Sequence, residues 1–318
     1  MRWPTRKRRK RASNLGPAIR SAAVGSLVAA AVVPLVRKRF RVPPAVTTAA
    51  VASAPFALAV LRRRTRARDA GIFALQMWAF TVIHELPYDD PERLRARLRV
   101  RYPIRIDRAL GGGRLPTHRL QHALASDDGV RARDAFLSIV HWAWFLQPHA
   151  ALLWIILREE ESFPRAARQM AAAFDVGCAV YMAVPTAPPW WAGENGYTNG
   201  PVRRIMVEVG KPMWGKAWEP LYQSLGGNPW AAMPSLHFAT SALAAILLAE
   251  TGRDAGAAGW GYALTLGFAL VYLGEHYVVD LLAGAAIVAL IRRGEPLVAP
   301  LAERVSGAAQ RLERLAAA

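Results

Sequence analysis

Apolar runs at residues 21–36, 44–61, 70–86, 135–157, 169–185, 234–250, 257–274 and 276–292 leave this chain few ways to fold. Backbone inside lipid must satisfy its own N–H and C=O groups, so repeated apolar stretches of this length resolve into membrane helices. About 20 apolar residues cover the hydrocarbon core. Several runs are shorter, which implies tilt or local thinning of the bilayer. The expected fold class is all-α, a polytopic membrane protein.

The charge supports the same reading. The 318 residues are 53% hydrophobic yet carry a formal charge of +18, a combination explained when apolar residues gather into spans and basic residues into the connections. The excess is mostly arginine, since Lys7, Lys10, Lys38, Lys211 and Lys216 are the only lysines. An Arg- and Ala-heavy composition also follows from a GC-rich genome. Nucleic-acid binding, the other reading of so basic a chain, leaves the apolar runs unexplained, so no nucleic-acid partner is expected. The single cysteine, Cys178, lies in an apolar run, which rules out an intrachain disulfide and makes a buried thiol the default. No zinc-ligand spacing appears.

Basic clusters at Arg6 to Arg11 and Arg62 to Arg68 read as cytoplasmic. Counting spans from there places 87–134 and 186–233 outside and 293–318 inside. The expected location is a bacterial plasma membrane, with the N-terminus cytoplasmic. Three regions follow: a basic N-terminal part with one or two membrane segments (1–69), a membrane domain (70–292) and a cytoplasmic tail (293–318). Two features resist this topology. Runs 21–36 and 44–61 flank Arg37, Lys38, Arg39 and Arg41, a basic hairpin that faces outward if both cross. A shallow re-entrant pair is the alternative. Segment 87–134 carries eleven arginines, tolerable because long segments obey the charge rule weakly. Within it, Glu92 to Val100 reads as an amphipathic surface helix. Gly111 to Gly113 is a turn without the ending of a phosphate loop.

The chemistry gathers at two helix mouths. His237 closes the segment Met-Pro-Ser-Leu-His (233–237), and His276 opens His-Tyr-Val-Val-Asp, which ends on Asp280. The topology puts all three on the external face. Residues four apart share a helix face, so Asp280 can take a hydrogen bond from one ring nitrogen of His276 and leave the other free to attack. His237 begins a helix after Pro234 and Ser235, where free backbone N–H groups suit phosphate oxygens. It is a candidate proton donor and acceptor. Any one histidine at a helix end is more often interfacial packing; the joint pattern across one intervening span carries the argument.

Pro-Ser-x-His followed by His-x-x-x-Asp resembles the second and third motifs of the type-2 phosphatidic acid phosphatase superfamily. Met-Pro-Ser-Leu-His and His-Tyr-Val-Val-Asp-Leu-Leu-Ala-Gly (276–284) are more similar to its inositol phosphorylceramide synthase branch. Pro-Thr-Ala-Pro-Pro-Trp (185–190) is similar to a segment of that branch. Asp107 to Gln121, with Leu-Pro-Thr before Leu-Gln, is similar more weakly. The resemblance covers about residues 70–292. It implies a six-helix core, a phosphohistidine on His276, His237 as acid and base, Asp280 as orienter, and neither metal nor other cofactor. It also implies lipid substrates within the bilayer. One departure stands out. The superfamily's third motif opens Ser-Arg, where this chain has Ala269 and Leu270. The phosphate must find its cation elsewhere. Arg204, six residues, then Lys211-Pro212 is the charge equivalent of the superfamily's first motif, and Arg203 and Lys216 are alternatives.

Ser235 and Trp190 complete the candidate substrate-binding set, Trp190 also fitting an interfacial aromatic belt. Asp175 falls near mid-bilayer, a functional suspect or a structural partner for a histidine such as His141. His84 and Glu85 fit interfacial anchoring. The function expected is a membrane lipid phosphotransferase moving an inositol-phosphate-like or phosphoryl group. A lipid phosphate phosphatase is the alternative. A non-catalytic membrane scaffold is a third reading, favoured by the missing arginine at position 270.

Overall fold

The apolar runs are largely helical in the structure, a computed structural model. It describes residues 5–126, 129–220 and 228–317, with side chains from residue 15 onward. The side chains of Arg6 to Arg11, and residues 127–128 and 221–227 of the two long connections, lie outside the described residues. Two compact units form: residues 1–89 with 293–318, and residues 90–292.

The first unit contains α1 (Thr5–Val36), α2 (Pro44–Leu61) and α3 (Arg66–Glu85). Stretches Leu15–Val36 and Pro44–Leu61 are both long and apolar enough to cross a bilayer. Ala23 of α1 packs with Ala57 and Val60 of α2. The basic hairpin is internally compensated: the Arg37 guanidinium meets Asp89 at 3.0 Å and Glu85 at 3.5 Å. Glu85, expected as an interfacial anchor, thus has an ionic partner within its own unit.

The second unit begins with short helices α4 (Pro91–Ala96), α5 (Arg101–Leu110) and α6 (Pro116–Leu124). The helix expected from Glu92 to Val100 stops at Ala96, because Arg99 leaves it to pair with Thr186 in a parallel bridge. Thr186 bridges in turn to Ala231; among the described residues no longer strand forms. Gly112 and Gly113 take positive φ, +62° and +90°, in the turn between α5 and α6.

Next come α7 (Ala132–Ala143), α8 (Gln147–Arg158), α9 (Phe163–Ala183), α10 (Pro189–Glu194) and α11 (Ile205–Trp214). The run 135–157 is not one straight span. It breaks between α7 and α8 with a 54° bend. Pro148 explains the break, because proline lacks the N–H that would bond residue 144 and its ring clashes with that carbonyl. Helix α9 ends ahead of Pro185, Pro188 and Pro189, as their restricted backbones require.

Helices α12 (Leu236–Thr251) and α13 (Arg253–Tyr272) pack along each other. Arg253–Tyr272 is long and apolar enough to cross, and α12 is a shorter apolar helix. Helix α12 also packs on α8 and α9, and α13 on α7. A core of Leu137, Ile205, Met206, Val209, Ala269, Tyr272 and Leu273 joins α7, α11 and the end of α13. The last helix, α14 (Val278–Ala317), carries the final apolar run and continues through the tail. Leu153, Leu157, Leu264, Leu282 and Leu290 project outward. Such a surface is costly in water and suits hydrocarbon. The chain is an all-α membrane protein.

Candidate active site

Helix α12 starts where its sequence says it should. Ser235 is the N-cap, its hydroxyl accepting the Phe238 N–H at 3.3 Å. The preceding backbone is fixed by Tyr181 of α9, whose hydroxyl donates to the Pro234 carbonyl at 2.6 Å and accepts the Leu236 N–H at 3.3 Å. The Ser235 N–H donates to the Asp280 carbonyl at 2.9 Å, tying the mouth of α12 to the first turn of α14. Gly284, one turn further on, permits this approach: a Cβ there would lie 2.7 Å from the Ser235 carbonyl oxygen.

The second histidine is set by the α13–α14 turn. Gly274 adopts φ +83°, and a Cβ on it would meet the Arg203 carbonyl at 2.6 Å. The Leu270 carbonyl then accepts the N–H groups of Glu275 and His276 at 3.0 and 3.1 Å. Position 270, where the resemblance would put an arginine, is a fully buried leucine, as Ala269 is a fully buried alanine.

These constraints bring the three expected residues into one line. His276 Nδ1 lies 3.2 Å from Asp280 Oδ2, and His276 Nε2 lies 3.2 Å from His237 Nδ1. Asp280 also accepts the Tyr277 N–H at 2.8 Å. A carboxylate can only accept, so Nδ1 of His276 carries a proton, and in the neutral ring Nε2 is then the lone-pair nitrogen. With that ring neutral, the facing Nδ1 of His237 is the donor of the contact. His276 and Asp280 are buried, so little water competes for either hydrogen bond.

Among the candidate cations, Arg204 is built in beside the histidines. Its guanidinium forms two parallel bonds to Glu275, 2.9 and 3.1 Å long, and stacks 3.9 Å above the Trp190 ring. Trp190 is itself pinned by its backbone N–H, which donates to the Gly274 carbonyl at 3.1 Å. Burial opposes ionisation of Glu275, but the Arg204 guanidinium outweighs it and holds the carboxyl below its usual range. Arg203 turns the other way, to Glu208 and to the Ser126 carbonyl at 2.8 Å. Lys211 sits about two turns beyond Arg204 along α11 and is exposed, as is Lys216. Asp175 is exposed on α9. The Ser235 hydroxyl is buried as a cap.

Sequence reasoning passed over several residues that hold this site. Asp107 of α5 accepts the N–H groups of Val278 and Val279 at 3.0 and 2.8 Å, capping the helix that carries Asp280. Burial raises its carboxyl above the usual range, against the pull of those two donors. Gln121 of α6 donates to the carbonyls of Arg203 and Tyr272 at 2.8 and 2.9 Å and accepts the Arg203 N–H at 3.0 Å. It therefore braces the backbone on both sides of the Arg204–Glu275 pair. Both residues bound the 107–121 stretch whose resemblance is weak, and that was their only signal. His141 and Trp144 lie against His237, ring centres 5.0 and 4.1 Å away.

Among the described residues no group of three or more His, Cys, Asp and Glu is placed to hold a metal ion. The arrangement can present a nucleophilic nitrogen, a proton on a neighbouring ring and a cation nearby, which are the needs of phosphoryl transfer. No curated protein and no solved structure matches the chain. A family model described as the PAP2 superfamily matches residues 104–293, a span that contains Asp107, Gln121, Arg204, His237, Glu275, His276 and Asp280. The chain belongs to the PAP2 superfamily.

Proposed function

We propose that this protein is a lipid phosphotransferase working through a phosphohistidine. The observation that carries the proposal is the line His237–His276–Asp280, with both gaps at 3.2 Å. Nε2 of His276 forms a bond to phosphorus while the bond to the leaving oxygen breaks. The electron pair stays on that oxygen, which takes the Nδ1 proton of the His237 imidazolium and leaves that ring neutral. In the second step an acceptor hydroxyl attacks phosphorus and gives its proton to His237, and the N–P bond returns its electrons to His276. Asp280 stabilises the positive ring formed in between. Arg204 serves as the phosphate cation in place of the absent arginine at position 270, oriented by Glu275 and Trp190. A planar guanidinium suits two phosphate oxygens at once.

The acceptor separates two forms of this reading. A lipid or polyol hydroxyl gives a transferase, for which Leu236 in Met-Pro-Ser-Leu-His and the His-Tyr-Val-Val-Asp segment speak through their likeness to the inositol phosphorylceramide synthase branch. Water gives a phosphatase, which superfamily membership accommodates equally. The site faces the outer leaflet in this proposal, with the membrane domain spanning 70–292 and the tail 293–318 cytoplasmic.

The test is direct. Purified protein is mixed with ³²P-labelled phosphatidic acid or head-group-labelled phosphatidylinositol and quenched in alkali. Acid-labile, alkali-stable label on the peptide containing His276 is expected, and its loss in His276→Ala. Product analysis then reads free phosphate against a newly phosphorylated alcohol. Turnover without label on that histidine, or undiminished turnover by His276→Ala, would overturn the proposal.

A further inference from the structure

At the break between α7 and α8 the N–H groups of Trp144, Phe145 and Leu146 bond three residues back, to His141, Trp142 and Ala143, in place of the regular α-helical pattern. What it delivers is specific. Trp144, the first residue past α7, places its indole 4.1 Å from the His237 ring, tilted 47°. His141, one turn earlier, stacks on His237 at 5.0 Å with planes 28° apart. His141 is buried, and its Nδ1 has no hydrogen-bond partner among the described residues. Trp144 is locked in turn: its indole N–H donates to Thr240 Oγ1 at 2.8 Å, and that hydroxyl donates to the Leu236 carbonyl at 2.7 Å. The lock closes on the first turn of α12, the same turn that carries His237.

We infer that the α7–α8 break is part of the proton-transfer apparatus, and that Trp144 is a positioning residue that holds His237 as the proton donor to the leaving group. The inference rests on the reading of His237 given above. A donor ring must carry a proton at Nδ1 aimed towards His276 and must tolerate positive charge when the second-step proton arrives. A tryptophan face is the aromatic surface most favourable to a cation, and its contact at 4.1 Å restricts rotation of the ring. His141, packed on the same ring, narrows that freedom further. As two imidazolium rings 5.0 Å apart would repel, His141 serves as the neutral neighbour.

A leaving-group comparison tests this. Full-length protein in detergent, supplied with a lipid alcohol as acceptor, is assayed on dioctanoyl phosphatidic acid, whose alkoxide needs a proton to depart, and on p-nitrophenyl phosphate, whose phenolate does not. His237→Ala and Trp144→Leu are each expected to lose about a hundredfold and tenfold, respectively, on the lipid, and threefold or less on the aryl ester. Trp144→Phe, which keeps an aromatic face without the indole N–H, is expected to recover most of the lipid activity. A defect in folding lowers both substrates alike. Equal losses for Trp144→Leu alongside a selective loss for His237→Ala overturn the inference alone. Equal losses for His237→Ala, or turnover of neither substrate by the unsubstituted protein, overturn the donor reading and this inference with it.

Discussion

Asp107 and Val279 lie 172 positions apart, and the Asp107 carboxylate accepts the Val279 backbone N–H at 2.8 Å. With the neighbouring Val278 bond at 3.0 Å, a side chain from α5 caps the first turn of α14. A capping carboxylate ordinarily comes from the residue just ahead of its helix; here it is supplied through the tertiary fold. Asp107→Ala is expected to lose about 1 kcal/mol of stability, the usual worth of a cap. It should also lower kcat, since the same turn carries Asp280. Asp107→Asn, retaining one acceptor, should fall between. Thermal midpoints in detergent and steady-state assays on the three proteins check the order; an Ala variant with wild-type kcat would separate the cap from the site.

The route from sequence to this site is uneven for physical reasons. His237, His276 and Asp280 were legible because their geometry is local: a Ser235 N-cap starts one helix, and an i,i+4 pair sits on the first turn of another. Asp107 and Gln121 were not, because their partners lie more than 80 positions away and no periodicity encodes such a pairing. The 54° break was written in Pro148, but hydropathy alone runs straight through it. Charge pattern could not choose among Arg203, Arg204, Lys211 and Lys216. The choice depends on which side chain finds a carboxylate elsewhere: Glu208 takes Arg203, and Glu275 holds Arg204 beside the histidines.

Gly284 should resist every substitution. A Cβ there would stand 2.7 Å from the Ser235 carbonyl oxygen, a backbone atom without rotamer freedom. Gly284→Ala therefore moves α14 away from α12 and widens the 3.2 Å gap between His237 and His276. A cost of about 1–3 kcal/mol follows from overpacking. A drop in kcat of about a hundredfold follows from misplacing reacting groups by an ångström. Alanine at Gly261, whose Cβ meets nothing within 4 Å, is the control and should leave both quantities near wild type.

The Arg204–Glu275 pair predicts a pH signature. The Glu275 carboxyl is held below its unfolded range, although burial alone would raise it, because the Arg204 guanidinium prevails. The folded state therefore binds this proton less readily than the unfolded chain does. The pair's stabilisation is complete above the unfolded value, about pH 4.3, and is lost as pH falls through the lower folded value. Glu275→Gln abolishes the titration. Its deficit in thermal midpoint against wild type should stay constant above about pH 5 and shrink on acidification. A deficit that grows with acid would contradict the ion pair. Arg204→Ala leaves the carboxylate without its guanidinium, and a loss of about 3 kcal/mol is expected from breaking a largely buried pair.

Asp280→Asn separates chemistry from structure most cleanly. The carboxylate is fully buried and accepts from both His276 Nδ1 and the Tyr277 backbone N–H. Both bonds end on the same oxygen, Oδ2, so an asparagine of the same shape that keeps its oxygen there still accepts from both donors and leaves the tautomer of His276 unchanged. What it removes is the negative charge that stabilises the positive ring formed on phosphorylation. The fold should survive with a thermal midpoint close to wild type, while kcat falls by about tenfold to a hundredfold, each factor of ten being about 1.4 kcal/mol of lost transition-state stabilisation. KM should change little, because Asp280 faces the histidine and not the lipid. Trapping with labelled phosphatidic acid should yield less phosphate on His276 in this variant. Retention of both kcat and the trapped phosphate would mean that Asp280 caps a helix and does not orient a nucleophile.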